Sequence, residues 1–242
     1  MEERLIAQMR AVEERHWWFA GRREVLLALV RSELEPGASL LDVGCGTGFF
    51  LEGAAPHVQT AGLDPSLQAV TFCASRGLSG VHLGGVEHLA ALQGQFDAIT
   101  FFDVIEHLPD DIGALRLARR ALRSGGRLFV SVPAYQWLWS HHDEAHGHQR
   151  RYTAALLRTR LAEAGFRDVR TGFFNARLFP LALAVRGWQK LTGRALEADL
   201  EPPPEPFNRW FRGWFAGESH LLGRPGSAGY PFGLSVFGVG TA

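Results

Sequence analysis

Residues 40–50 read Leu40-Leu41-Asp42-Val43-Gly44-Cys45-Gly46-Thr47-Gly48-Phe49-Phe50, and this run decides the fold. An apolar stretch ends in a carboxylate and passes into a loop with three alternating glycines. That pattern describes a buried strand, a tight turn whose main chain can approach a ligand, and the start of a helix. Gly44, Gly46 and Gly48 give the spacing G-x-G-x-G. The dinucleotide fingerprint G-x-G-x-x-G needs a glycine at position 49, where Phe49 stands. Asp42 adds a charge argument: a pyrophosphate beside it would be repelled, whereas an ammonium or a sulfonium would be attracted.

S-adenosylmethionine carries both of those cations, together with a carboxylate that suits the N-terminus of the helix after the loop. About twenty residues further on, a second strand VQTAGLD (58–64) ends in Asp64. A carboxylate there accepts hydrogen bonds from both ribose hydroxyls, and would do so for NAD as well. Asp42 and the glycine spacing favour S-adenosylmethionine.

Four stretches follow in order: LLDVGCGTG (40–48), GLDPS (62–66), FDAITFFDVIEHLPD (96–110) and LRSGGRLFVSVP (122–133). As an ordered set they resemble the class I S-adenosylmethionine-dependent methyltransferases, nearest the small-molecule branch that includes ubiquinone-biosynthesis O-methyltransferases. The resemblance covers residues 36–172. It implies an α/β fold, a doubly wound, Rossmann-like, seven-stranded and mostly parallel sheet. It also implies S-adenosylmethionine as methyl donor and S-adenosylhomocysteine as product. Asp42, Gly44 and Gly46 are then expected at the methionine end, Asp64 at the ribose, and Val86 and Glu87 at the adenine edge. Cys45, Gly48, Pro65, Phe102 and Asp103 complete the expected donor site. Relatives often carry Asp-Ala-Glu where this chain has Gly85-Val86-Glu87, so the adenine edge departs from the pattern.

Composition bounds the alternatives. The chain of 242 residues holds one α/β domain with a full core. Its formal net charge is zero, so no basic field recruits nucleic acid, and a small-molecule acceptor is expected. Two cysteines make no disulfide framework, in keeping with a reducing cytoplasm. Cys45 needs no role beyond filling the space between two glycines. The charged start MEERLIAQMR does not read as a signal peptide. The longest apolar run, Leu178 to Val185, falls short of the ~20 residues of a membrane span. The expected location is cytoplasmic, at most peripheral to the inner face of the membrane.

The pattern divides a single domain into four stretches. Residues 1–36 form an N-terminal helical cap, with helix over 3–34 and an aromatic knot at Trp17, Trp18 and Phe19 that is either a lid on the donor site or packing below the sheet edge. Residues 37–174 form the nucleoside-binding core, with strands at 39–43, 58–63, 80–83, 96–102, 127–132 and 166–174 separated by helices. Thr153 N-caps a helix that ends near Gly165. Residues 175–231 are longer than an ordinary connection and read as a helical insertion. Residues 232–242 supply the last strand.

Methyl transfer to oxygen needs donor and acceptor aligned and a proton removed. His107, His142 and His146 are the candidate bases, since imidazole titrates near neutrality. The resemblance adds that an acid-x-x-Glu-His run after the fourth strand binds a divalent metal in some branches. Here Asp103 stands where those relatives have glutamate, and its shorter reach argues for no metal; the alternative is a site at Asp103, Glu106 and His107. His141, Asp143 and His148 are further candidates in the same loop, with Arg150 and Arg151 beside them to hold an anionic acceptor or to pair with Asp143 and Glu144. Phe207, Trp210, Phe211, Trp214 and Phe215 recur at helical spacing. That face is either buried or a peripheral membrane contact through 207–215 for a lipid-linked acceptor. The expected activity is methyl transfer to a small molecule, most simply at oxygen. An NAD-dependent oxidoreductase and a non-catalytic S-adenosylmethionine-binding module are the alternatives.

Overall fold

The computed structural model describes residues 3–192 and 201–242. The chain opens with helices α1 (Glu3–Val12) and α2 (Trp17–Arg31). Then come β1 (Ser39–Val43), α3 (Phe49–Ala54), β2 (Gln59–Asp64), α4 (Leu67–Ser75) and β3 (Val81–Leu83). β4 (Phe96–Phe102), α5 (Asp111–Ala121), β5 (Leu122–Pro133) and α6 (His141–Ala145) follow. The described residues end with α7 (Ala154–Glu163), β6 (Arg167–Phe174), α8 (Phe179–Thr192), α9 (Glu205–Ala216), α10 (Ser219–Leu222) and β7 (Ser235–Thr241).

The seven strands lie in the order β3-β2-β1-β4-β5-β7-β6. β7 runs antiparallel to both neighbours, and the other pairings are parallel. The order reverses between β1 and β4, and in open α/β sheets the crevice at that switch point is where ligands bind. Alternate strand residues feed opposite layers, as the pleat requires. Leu41 and Val43 of β1, with Leu128, Val130 and Val132 of β5, face α5 and α7. Leu40 and Phe129 face the other way, toward α2 and α9. Phe101, Phe129, Phe174 and Phe237 are fully buried, each contributing on the order of 2 kcal/mol. Side-chain caps start the helices: Ser66 accepts from Ala69 N, Asp110 from Gly113 N and Thr153 from Leu156 N.

Two regions differ from the sequence pattern. The helix expected over 3–34 breaks at residues 13–16, where His16 caps α2 by accepting from Trp18 N at 3.1 Å. Glu13 turns inward there and is buried. The aromatics of α9 also do not share one buried face. The stripe turned to α2 is Asn208, Phe211 and Phe215, with Trp17 N donating to Asn208 Oδ1 at 2.9 Å and the Trp17 ring against Phe211. Phe207 and Trp210 remain exposed. Among the described residues no helix is long and apolar enough to cross a membrane.

Candidate active site

The carboxyl ends of β1, β2 and β4 bring the expected donor residues together. Gly44, Gly46 and Gly48 all adopt left-handed backbone, with φ of 74°, 54° and 78°. A Cβ at Gly44 would strike Val104 at 2.6 Å and one at Gly48 would strike Leu78 at 2.6 Å, whereas one at Gly46 would meet nothing within 4 Å. The middle glycine thus faces open space, and the outer two are packed. Asp64 fastens this loop: its Oδ2 accepts from Gly46 N at 2.8 Å and its Oδ1 from Ser66 N at 2.9 Å. Pro65 beside it is exposed.

Asp42 is buried and accepts a 2.6 Å hydrogen bond from Thr100 Oγ1. Burial pushes its carboxyl from an ordinary 3.8 up to about 7, against the Thr100 bond, with Asp64 adding to the rise. A cation placed here would recover that cost. Phe102 packs its ring edge-on against Phe50 at 4.8 Å. Val86 is half-buried, and Glu87 is exposed, its Oε1 accepting from Gly85 N at 3.1 Å. Cys45 lies against Cys73, whose Sγ donates to Gly46 O at 3.3 Å. The hydrogen bond with Cys73, then burial, drives the Cys45 thiol upward, which suits packing and not a nucleophile.

The N-terminal segment is latched onto the same loop. Glu13 accepts from Thr47 Oγ1 at 2.6 Å and from Arg76 Nη2 at 2.7 Å, while Arg76 Nε donates to Thr47 O at 2.9 Å. Arg22, on α2, pairs with Asp103 Oδ2 at 2.6 Å, donates to Ser131 Oγ at 2.8 Å and stands over the Trp18 ring. Sequence reading missed Arg22 and Glu13. Neither carries a distinguishing signal in sequence: Glu13 is followed by Glu14 and Arg15, and Arg22 by Arg23 and Glu24.

On the acceptor side, Glu106, His107 and His148 converge, with one ligand atom from each within 4.8 Å of the others. Glu106 is buried and neither carboxylate oxygen has a hydrogen-bond partner. Burial, then the charge of Asp103, raises its pKa. His107 is lowered by burial and by His148, and bonds to the His146 backbone. The His107 and His148 rings meet at 4.7 Å. His148 Nδ1 sits 2.8 Å from Asp143 Oδ1, and Asp143, fully buried, is gripped by Arg151 Nε at 2.7 Å and Nη2 at 2.9 Å. A carboxylate behind an imidazole is the arrangement that orients a metal-binding histidine.

One carboxylate and two imidazoles suit a zinc-like or other first-row dication. A cation bound at roughly 2.1 Å keeps its ligand atoms within about 4.2 Å of each other, so the cluster fits after shifts below an ångström. Asp103 is not in this set, because its carboxylate turns to Arg22. The alternative trio of Asp103, Glu106 and His107 is therefore not the set the structure brings together; His148 stands with Glu106 and His107 in place of Asp103. His146 lies at the rim, 6.1 Å from the His148 ring, and His141 is exposed beside Glu144. The His142 side chain lies outside the described residues.

Residues 15–171 match the family model described as "Methyltransferase domain". The chain belongs to that family, and its fold is that of the class I S-adenosylmethionine-dependent methyltransferases. Over 132 residues it is 39% identical to a ubiquinone biosynthesis O-methyltransferase of Xanthomonas axonopodis pv. citri, a match covering 48% of this chain and 55% of the relative. The chain therefore spans about half the length of the curated relatives it matches. A SAM-dependent methyltransferase from Archaeoglobus fulgidus superposes with a TM-score of 0.60 at 20% identity, covering 91% of this chain and 94% of that one. Phosphoethanolamine N-methyltransferase 2 of Haemonchus contortus, in complex with S-adenosyl-L-methionine, does so at 0.58 and 17%, covering 91% and 52%.

Proposed function

We propose that this chain transfers the methyl group of S-adenosylmethionine to an oxygen of a small molecule, releasing S-adenosylhomocysteine. One observation carries the reading: a loop of left-handed glycines and the cluster Glu106, His107 and His148 open at the same carboxyl edge of the sheet. The methionine end of the donor lies against Asp42, Gly44 and Gly46, where the buried carboxylate meets positive charge. Asp64, already holding the loop, faces the ribose through its remaining lone pairs, and Val86 and Glu87 border the adenine. Cys45, Gly48, Pro65 and Phe102 shape the walls, and Arg22, paired with Asp103, holds the donor carboxylate.

Glu106, His107 and His148 would hold a divalent cation, which when bound supplies a Lewis acid that lowers the pKa of the acceptor hydroxyl. Asp143 and Arg151 keep His148 oriented. His146, half-buried at the rim, is the remaining candidate to take the acceptor proton. The names of the curated relatives favour oxygen as the methyl acceptor. Residues 1–36 act as a cap, 37–174 as the donor-binding core, 175–231 as a helical segment bordering the acceptor side, and 232–242 as the closing strand.

The test is calorimetric titration of S-adenosylhomocysteine and NADH into the purified protein, followed by methyl transfer to a panel of phenols with and without chelator. Binding of the first ligand alone, and turnover that chelator abolishes and a dication restores, is the expected result. A folded protein that ignores S-adenosylhomocysteine would overturn the donor assignment, and NADH binding would revive an oxidoreductase. Donor binding without turnover across the panel would leave a binding module.

A further inference from the structure

The geometry points to Cys45 and Cys73 as an oxidative modification site: a peroxide joins them in an intramolecular disulfide that disables the donor loop, and a thiol reductant restores it. The chain has two cysteines, and the fold brings them together. Cys45 lies in the glycine loop after β1, and Cys73 lies near the end of α4. Both are free thiols, 8% and 0% exposed, in one apolar cluster with Leu51. Glycines make room for the sulfurs. A Cβ at Gly62 would stand 2.9 Å from Cys45 Sγ, and one at Gly48 2.9 Å from Cys73 Sγ. The two thiols hydrogen-bond to each other. Packing alone accounts for a buried cysteine, but Cys73 is also tied to the loop, its Sγ donating to Gly46 O at 3.3 Å. Gly46 is the residue whose N–H Asp64 holds, and a Cβ there would meet nothing within 4 Å. The pair thus lies against the residue at which the loop is open.

The chemistry balances with one peroxide. The hydrogen bond with Cys45 lowers the Cys73 thiol, so Cys73 supplies the first thiolate. Its sulfur attacks one peroxide oxygen, the O–O bond breaks, and the departing hydroxide leaves as water with the thiol proton. The product is a sulfenic acid. Cys45 Sγ then attacks the Cys73 sulfur, the S–O bond breaks, and hydroxide leaves as water with the Cys45 proton. Two thiols are oxidised to one disulfide, and one peroxide is reduced to two waters. The Cys45 thiol, held high by the hydrogen bond with Cys73 and by burial, is slow toward reagents in solvent and reacts with a sulfur already in contact. In a reducing compartment such a bond is transient, formed under oxidant and removed by thiols. The bond takes the Cys73 S–H away from Gly46 O and draws Cys45 toward α4. Gly44 and Gly46, the left-handed residues on either side of Cys45, are then pulled from the arrangement that faces the donor. This consequence rests on the donor assignment proposed above; the disulfide itself does not.

The experiment treats the full chain with hydrogen peroxide and reads intact mass and the thiols titratable in denaturant. Calorimetry with S-adenosylhomocysteine follows, before oxidation, after it, and after dithiothreitol. The expected product is a monomer lighter by two hydrogens with no titratable thiol. Its affinity for S-adenosylhomocysteine falls roughly tenfold or more, the effect of strain at one or two loop residues, and dithiothreitol restores both thiols and affinity. Cys73→Ser keeps a hydroxyl to donate to Gly46 O; it binds S-adenosylhomocysteine as the parent does, and peroxide leaves that affinity unchanged. The cycle of oxidation and reduction in the parent decides the matter without the variant. A parent that keeps both thiols, gains oxygen as a sulfinic acid or forms disulfide-linked dimers overturns the proposal. So does a disulfide that leaves the affinity of the reduced protein unaltered, or a loss of affinity that Cys73→Ser shares under peroxide. Reduced protein that ignores S-adenosylhomocysteine would sink the donor assignment, and the mass would still decide the disulfide.

Discussion

Asp42→Asn separates the cost of the donor site from its use. In the fold the carboxyl of Asp42 moves from an ordinary 3.8 to about 7, chiefly because it is buried. At about 1.4 kcal/mol per pH unit, the ionised form is disfavoured by on the order of 4 kcal/mol above pH 7. The sign follows from linkage. Between the two pKa values the folded protein holds a proton that the unfolded chain has released. Stability is therefore highest at low pH and falls as pH climbs through this window, then levels off. Asparagine keeps an oxygen to accept the Thr100 Oγ1 bond and carries no charge. Urea unfolding at pH 5 and pH 8 should show the variant gaining on the parent by about 3 kcal/mol between the two conditions. The same substitution should weaken S-adenosylmethionine more than S-adenosylhomocysteine, because only the former carries a sulfonium. In the parent protein, S-adenosylmethionine affinity should rise as pH passes 7. A variant whose stability parallels the parent at both pH values, or which loses both ligands equally, would refute the reasoning.

Three further perturbations follow from the geometry. Glu13→Gln leaves the Arg76 guanidinium, 2% exposed, with the half-exposed Glu14 and Glu52 as its remaining carboxylates; unfolding in urea should show a loss of about 2 kcal/mol, below the full cost of breaking a buried pair, and S-adenosylhomocysteine should dissociate faster in stopped flow as the latch on Thr47 loosens. Asp143→Asn removes the charge that orients His148 and engages Arg151, and calorimetry with zinc or manganese should show ~10–100-fold weaker binding while donor affinity is unchanged. Gly46→Ala and Gly48→Ala both place a side chain on left-handed backbone at ~1 kcal/mol or more, but only the second also strikes Leu78 and Cys73. Thermal denaturation should therefore rank Gly48→Ala as the less stable, and ligand titration should show Gly46→Ala as folded with a weakened donor site.

What could be read from sequence depended on how local the deciding interaction is. β1, its glycine loop and the strand ending in Asp64 were legible because a short apolar run ending in a carboxylate and left-handed turns leave marks within a few residues. The break between α1 and α2 was not. Glu13 is one more acid in a helical pattern until Arg76, 63 residues away, and Thr47 draw it inward. The loop 141–148 offers four histidines, and the sequence reading favours His142 and His146 over His148. What distinguishes His148 is a buried carboxylate five residues earlier, and Asp143 is buried only because Arg151 closes on it from the other side. Likewise α9 shows five aromatics at ideal spacing, but Asn208 and the backbone of α2 decide which of them are covered. The same dependence explains why Asp103 stays out of the cluster of Glu106, His107 and His148. Arg22 lies on a helix preceding the core and competes for the carboxylate that a short side chain could not extend toward His107. The N-terminal cap thus supplies the groups that set charge at both halves of the site, Glu13 at the glycine loop and Arg22 at Asp103. A fragment lacking residues 1–36 would keep the strands and the glycines and still lose the arrangement on which the proposed donor site depends.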